Sequence, residues 1–500
     1  MNQPNFKKVP QDSVKCKLKE QIKVVAKTDV STEDVKNVIS VSCWADAYSV
    51  TVYEKRAEYK GKAIFFIAYK TQDGEIKKCE KTADFDGIIE SEFITESSRL
   101  NLRAFSYKTE TDLSGIKLCA TGYVTLESTV YDKTEYECVE SAEDIICDVS
   151  ESTFYLSHGR KESVHPLTEE FTLSYKVLEV LSQNAVCVVT NAQCGVGSII
   201  VDGEVYLSAI LLQSNEKKDI IKESKVLPFR VEIECEDAMP AFRAVCSGAV
   251  RSFKTEVSVD DEKSVVSCVI TLKLIGEAFS ENTFSLTKDA FSKTENLEVK
   301  TDSFLSRTRL EDRCVRKELN LTISHEENLE NCVPLGSFFE RLEIVSKEKD
   351  GQKISLIGAI SLNCMLKTAE DEVKTISLDF PVELSFDCQG EDFDEFELFG
   401  VCPKCEVKII GANEVSLSGT VVLSISPYKT QTVNYVKEIT ACGEKKLEDW
   451  AISVVIPFKG EDLWSLSKRL NQSPEEITMA NKDLTFPLTG EERIVIYRQK

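Results

Sequence analysis

Five hundred residues exceed what one hydrophobic core can organise, so about three to five domains are expected. The chain is 42% hydrophobic and 29% charged, with 12 Pro and 21 Gly, which excludes collagen-like and wholly disordered classes. Its formal net charge of −23 repels phosphate backbones and anionic headgroups, arguing against nucleic acid or a lipid surface as principal partner.

The 18 Cys are spread along the whole chain, and no secretory leader follows Met1. The uncharged stretch from Val180 to Val201 is broken by Ser182, Gln183, Asn184, Thr190, Asn191 and Gln193, too polar for a bilayer span. The expectation is a cytoplasmic protein with reduced thiols and no membrane insertion.

Alternation dominates the chain. Ile64, Phe66 and Ala68 fall on one face of an extended segment, and Ala63, Phe65 and Ile67 on the other. β-Branched runs such as Val265-Val266-Ser267-Cys268-Val269-Ile270 recur, with turn signals at Asp73-Gly74, Asp202-Gly203 and Asp350-Gly351. A mainly β fold is expected.

One pattern recurs three times. An apolar strand follows Gly61, Gly203 and Gly358. A polar hairpin comes next, at Gln72-Asp73-Gly74-Glu75, Asn215-Glu216-Lys217-Lys218 and Glu370-Asp371-Glu372. Phe85, Phe229 and Phe380 follow, the last two beside Pro228 and Pro381, and each unit ends on a Gly-marked strand at Gly122, Gly248 and Gly419. The recurrence predicts three tandem β domains over 14–140, 165–295 and 315–443. This order of strand, hairpin, strand and late Gly strand resembles the SPOCS domain, found in tandem in proteins that build the envelope of bacterial endospores.

Catalytic constellations are not found. His158 and His165 fall in what reads as a connector, and neither they nor His325 sit in a His-Glu-x-x-His motif or beside a nucleophile elbow. Gly195-Val196-Gly197 has neither a third Gly nor a following Lys-Ser/Thr, and reads as a strand end. Cys402-Pro403-Lys404-Cys405 lacks a second pair for zinc and reads as a turn between strands holding incidental thiols. The acidic run Glu391-Asp392-Phe393-Asp394-Glu395-Phe396-Glu397 lacks calcium-loop spacing and reads as a solvated loop. No enzyme activity, cofactor or metal is expected.

The last fifty residues change character. Ile452-Ser453-Val454-Val455-Ile456 reads as a strand, and Leu463, Leu466 and Leu470 lie on one helical face. Ser473-Pro474-Glu475-Glu476 is a helix start with a capping box, and Arg493-Ile494-Val495-Ile496-Tyr497 is a final strand. A βααβ unit over 452–498 opened by Gly460-Glu461-Asp462-Leu463-Trp464 resembles a LysM domain. Gln472 departs from that pattern and marks a specialised surface. The resemblance implies a groove for N-acetylglucosamine polymers between Gly460, Glu461, Asp462 and Leu463 and the segment from Asn481 to Leu488, with Leu484 and Pro487 as its apolar floor. Trp464, one step off the buried stripe, is expected to be partly exposed beside that groove as an anchor for a partner.

SPOCS-like repeats followed by a LysM domain resemble SipL-type sporulation proteins. The resemblance implies a morphogenetic adaptor at the forespore surface in the mother-cell cytoplasm. Its LysM domain would contact the spore-coat basement protein, an ATPase. The rival expectation is binding of cell-wall or cortex glycan.

Overall fold

The computed structural model describes residues 4–260, 263–446 and 452–497. Antiparallel strands fill nearly all of it, as the alternation predicts. Unit one comprises β1 (Asn5–Ser31), β2 (Val35–Tyr53), β3 (Arg56–Thr71), β4 (Ile76–Glu90), β5 (Arg99–Asp112) and β6 (Lys117–Ser141). Unit two repeats the order as β7 (Ile145–Leu173), β8 (Val177–Cys194), β9 (Ser198–Gln213), β10 (Ile220–Glu234), β11 (Arg243–Asp260) and β12 (Lys263–Ser292). In unit three the first strand is broken into β13 (Glu295–Arg309) and β14 (Arg313–Ser324). There follow β15 (Val333–Asp350), β16 (Lys353–Lys367), β17 (Val373–Asp387), β18 (Glu395–Gly411) and β19 (Glu414–Glu444).

Each unit has one strand path. In unit one, β1-β6-β5 form one sheet and β2-β3-β4 another; β2 lies beside β5, and β4 returns alongside β1. In unit two, the corresponding sheets join into one six-stranded sheet, β10-β9-β8-β11-β12-β7. The cores also merge. The largest buried cluster draws mainly on unit two but includes Ile39, Phe66 and Ala68 of unit one and Phe338 and Met365 of unit three. The three units pack as one body rather than as beads on a string.

The recurrent glycines have one structural cause. Gly61, Gly203 and Gly358 pair with Ala47, Val189 and Ile344, each beside a β-bulge in the neighbouring strand. The bulge drives a carbonyl inward. A Cβ on the glycine would lie 2.8 Å from the Asp46 oxygen, 2.6 Å from that of Val188 and 2.2 Å from that of Glu343. Only glycine admits such an approach.

Several local expectations are corrected. Asp202-Gly203 is not a turn but lies within β9, at the bulge position. Gly248 lies on the fifth strand of its unit, β11; the position matching Gly122 and Gly419 on the sixth strand is Cys268. His158 and His165 lie within β7, not a connector, and the His158 ring stacks on Phe242 at 4.1 Å. Cys402 and Cys405 are buried inside β18 at a bulge, and burial pushes both thiols up, the opposite of a reactive pair. The acidic run is not simply solvated. Phe393 is buried, Asp392 meets Lys349 at 2.9 Å, and Glu397 is held by Lys17 and Arg307.

Beyond each unit's core, the first and last strands run on as a two-stranded ribbon. The ribbons pair from Asn5 with Ser141, from Ile145 with Ser292 and from Glu295 with Glu444. Val9, Phe154 and Phe304 take matching places in them, opposite Tyr136, Asn282 and Val433. All three are buried where the ribbons meet, with Phe304 stacked on Tyr136 at 4.2 Å and 5.5 Å from Phe154. Burying one such aromatic contributes about 1.5–3 kcal/mol, so these contacts bind the ribbons into a stalk with approximate threefold symmetry. Among the described residues, no helix is long and apolar enough to cross a membrane.

Candidate functional site

The C-terminal module is β20 (Ile452–Val455), α1 (Leu463–Leu470), α2 (Pro474–Ala480) and β21 (Ile494–Tyr497), with β20 antiparallel to β21. Leu466, Ile477, Leu488, Ile494 and Ile496 form its small core, and Leu463 packs against them. α1 starts where Asp462 accepts the Ser465 amide at 2.7 Å and stops at Asn471, whose φ of 57° leaves the helical region. α2 carries the expected capping box between Ser473 and Glu476, with Pro474 at its first turn.

The residues expected to line a groove mostly close the module on itself. The Gly460 amide donates to the Leu488 carbonyl at 2.7 Å, and the Leu488 amide donates to the Glu461 carbonyl at 3.0 Å. These two bonds zip the loop before α1 to the loop after α2. Glu461 is buried. Its carboxylate takes a bidentate pair from Arg469, at 2.7 and 2.8 Å, and the Phe458 amide at 2.9 Å. The Arg469 bond, against the cost of burial, holds its pKa below the usual carboxylate range. Asn481 ties α2 to β21, accepting the Val495 amide at 2.7 Å and donating to the Ile477 and Val495 carbonyls. Leu484 is half-buried against the core, Leu488 is buried, and Pro487 is exposed. Gln472 is buried rather than forming a surface; its amide N–H donates to Ser467.

Trp464 is half-buried, and its polar edge faces the body of the protein. The indole Nε1–H donates to Asp289 at the end of β12, and the ring meets Phe291 edge-on at 5.3 Å. Lys468 reaches the same carboxylate at 2.8 Å. Beside them Lys293 pairs with Glu476 at 2.6 Å, Asn471 donates to the Lys293 carbonyl at 2.6 Å, and Lys445 donates to Asn471 at 2.8 Å. Burial raises the Asp289 carboxyl, but bonds from Lys468, Trp464 and the Ala290 amide outweigh it and hold the group below its usual range. This latch was not legible in the sequence. Asp289 sits in an ordinary polar strand, and only the threefold stalk brings it to α1.

The opposite side of the module is apolar and open. Along β20 and just beyond, Ile452, Val454 and Ile456 are 63%, 58% and 66% exposed. Tyr497, across the ladder from Ile452, is 56% exposed. Alternation places them on one face, while Val455, Ile494 and Ile496 turn inward. An apolar sheet face of this kind marks an interaction surface more often than bare solubility would allow. When the chain is compared with known proteins, no family model and no curated protein matches it.

Proposed function

We propose that this chain is a non-enzymatic adaptor of endospore formation acting in the mother-cell cytoplasm. Its three repeats serve as a rigid platform, and its C-terminal module is a LysM domain that binds the spore-coat basement protein. The observation that carries the reading is the exposed apolar face of Ile452, Val454, Ile456 and Tyr497 on a module latched to the body by its other side. A module held in this way presents one fixed surface outward, as an adaptor requires. The glycan reading is less favoured because the Gly460 and Leu488 amides, natural donors to a sugar, are already engaged with each other's loops.

The test uses the full chain and purified coat-basement ATPase. Wild-type protein should bind it saturably. Val454→Lys, on the exposed face and away from the module core, should weaken binding at least tenfold, or about 1.4 kcal/mol. Absence of binding, together with co-sedimentation of the wild-type chain with insoluble N-acetylglucosamine polymer, would replace the adaptor reading with the glycan one.

A further inference from the structure

The three units meet around a cavity of about 450 Å3, adjacent to a second of about 250 Å3 that shares wall residues such as Ala104, Ala249 and Phe399. The larger lies within the size range of small-molecule sites. The approximate threefold symmetry brings matching positions to the larger cavity. Arg103, Ala249 and Phe399 stand at the same register in β5, β11 and β18, opposite Glu127, Lys273 and Ser424. A purely structural junction would be served by similar apolar residues at all three positions. Here one is a cation, one is small and one is aromatic.

Arg103 carries the inference. Among the described residues it has no hydrogen-bond acceptor and no carboxylate within 4 Å; its cross-strand neighbour Glu127 goes instead to Lys19 at 3.9 Å. Its guanidinium lies over the Phe399 ring at 5.0 Å, which leaves the N–H edge free. The side chain is half-buried, and its surroundings lower its pKa, partly countered by Glu127. A half-buried guanidinium with no protein acceptor keeps its donors available to a ligand. Arg341, also on the wall, spends one N–H on the Tyr107 carbonyl at 3.0 Å, lies 3.8 Å from the exposed Glu343 carboxylate, and leaves a buried Nε without an acceptor.

The other charges around the cavity largely neutralise one another. Asp46 takes Arg251 at 2.7 Å and Lys273 at 3.4 Å. Glu340 is the extra residue of a bulge between Phe339 and Arg341. Burial pushes its carboxyl up to about 7, so it offsets Arg341 only in part near neutrality. Ser247, Gly248 and Ala249 keep the unit-two wall low, while Tyr107, Phe339 and Phe399 supply flat apolar surface.

We propose that this cavity binds a small organic anion, a carboxylate or phosphate monoester bearing an apolar ring, with Arg103 and Arg341 as its cationic clamp and Phe399 and Tyr107 as its walls. Two guanidinium groups with unfilled donors then gain charge-assisted hydrogen bonds, and the ring replaces water against the aromatic side chains.

The experiment is calorimetric titration of the full chain with phenyl phosphate and with benzoate, using inorganic phosphate and phenol as controls. One saturable site is expected for at least one of the two ring-bearing anions. Each control should bind at least tenfold more weakly, because it lacks either the ring or the charge. Arg103→Gln should weaken binding at least tenfold, while Lys408→Gln on the exposed face of β18 should leave it unchanged. The unliganded Arg103→Gln protein should melt close to the wild-type temperature, since the substitution removes no ion pair or hydrogen bond from the half-buried side chain. If that variant does not fold, Arg341→Gln carries the same test. No saturation by either anion below about 10 mM, or equal affinity in the wild type and a folded arginine variant, overturns the proposal.

Discussion

The Trp464 indole nitrogen donates to Asp289 Oδ2 at 2.9 Å, and the same carboxylate receives Lys468 at 2.8 Å. One acidic side chain on β12 thus holds both an aromatic and a cationic residue of α1. Replacing it with Ala strands the indole N–H and the ammonium together. Asp289→Ala should weaken docking of the module by about 1.5–3 kcal/mol, the range for hydrogen bonds to a charged group. Hydrogen exchange should then quicken in α1 and in 288–293, while β3 and β9 stay protected. Because the Asp289 carboxyl is held below its usual range, docking draws on it above the ordinary carboxylate pKa and loses it as pH falls through the lower, folded value. Docking should therefore be unchanged between pH 5 and 8 and fail only in stronger acid; loss near pH 6 would contradict the latch.

Two bulge-facing glycines, Gly358 and Gly61, and the turn glycine Gly197 rank by what an added methyl would strike. Gly358→Ala places Cβ 2.2 Å from a backbone oxygen and should cost the most, beyond the roughly 1–3 kcal/mol usual for overpacking. Gly61→Ala meets the Phe85 ring at 2.1 Å and a carbonyl at 2.8 Å and should destabilise by a similar mechanism. Gly197→Ala meets nothing within 4 Å but holds a φ of +72°, so its cost should be only about 1 kcal/mol. Denaturant midpoints for the three variants check the order.

The module core should tolerate little loss. Leu466 is fully buried among a handful of apolar side chains, and Leu466→Ala should cost about 2–5 kcal/mol and unfold the module. Met479, which is 71% exposed on α2, should be replaceable by Ala with almost no effect. Proteolysis of the two variants, followed by mass, separates loss of the module from loss of the body.

Thiol reactivity should follow burial. Cys314 and Cys442 are exposed and should react first with a disulfide reagent in the native protein. Cys187 and Cys364 are buried, and burial pushes each thiol up to about 12, so both should wait for unfolding. In denaturant all 18 should titrate as thiols. Rapid native reaction at Cys187 would mean that the shared core opens readily.

What the sequence disclosed was local. Period-two alternation locates strands, and Gly61, Gly203 and Gly358 mark the repeat because each answers the same bulge. Ser473 and Pro474 announce α2 because a helix start must satisfy its own amides. What stayed hidden depends on contacts made across the chain. The ribbons around His158 are half-polar, and polar alternation reads as a connector until three ribbons bury their remaining apolar faces together. Cys402 reads as part of a turn because Gly400 precedes it and alternation resumes only after Cys405, yet a bulge carries the strand through both. Arg103 gives no sign in sequence that its neighbours offer it no acceptor.

The stalk also sets an order of events during synthesis. The first ribbon is complete once Ser141 emerges, but the third closes only at Glu444, roughly 300 residues later. At about 5–20 residues per second, the first ribbon waits some 15–60 s on the ribosome with an apolar side uncovered. Each unit can close its own ladders as it appears, whereas the bundle of ribbons completes only when the third arrives. A nascent chain stalled after unit two therefore carries an uncovered aromatic seam, the surface a holding chaperone recognises and a neighbouring nascent chain can pair with.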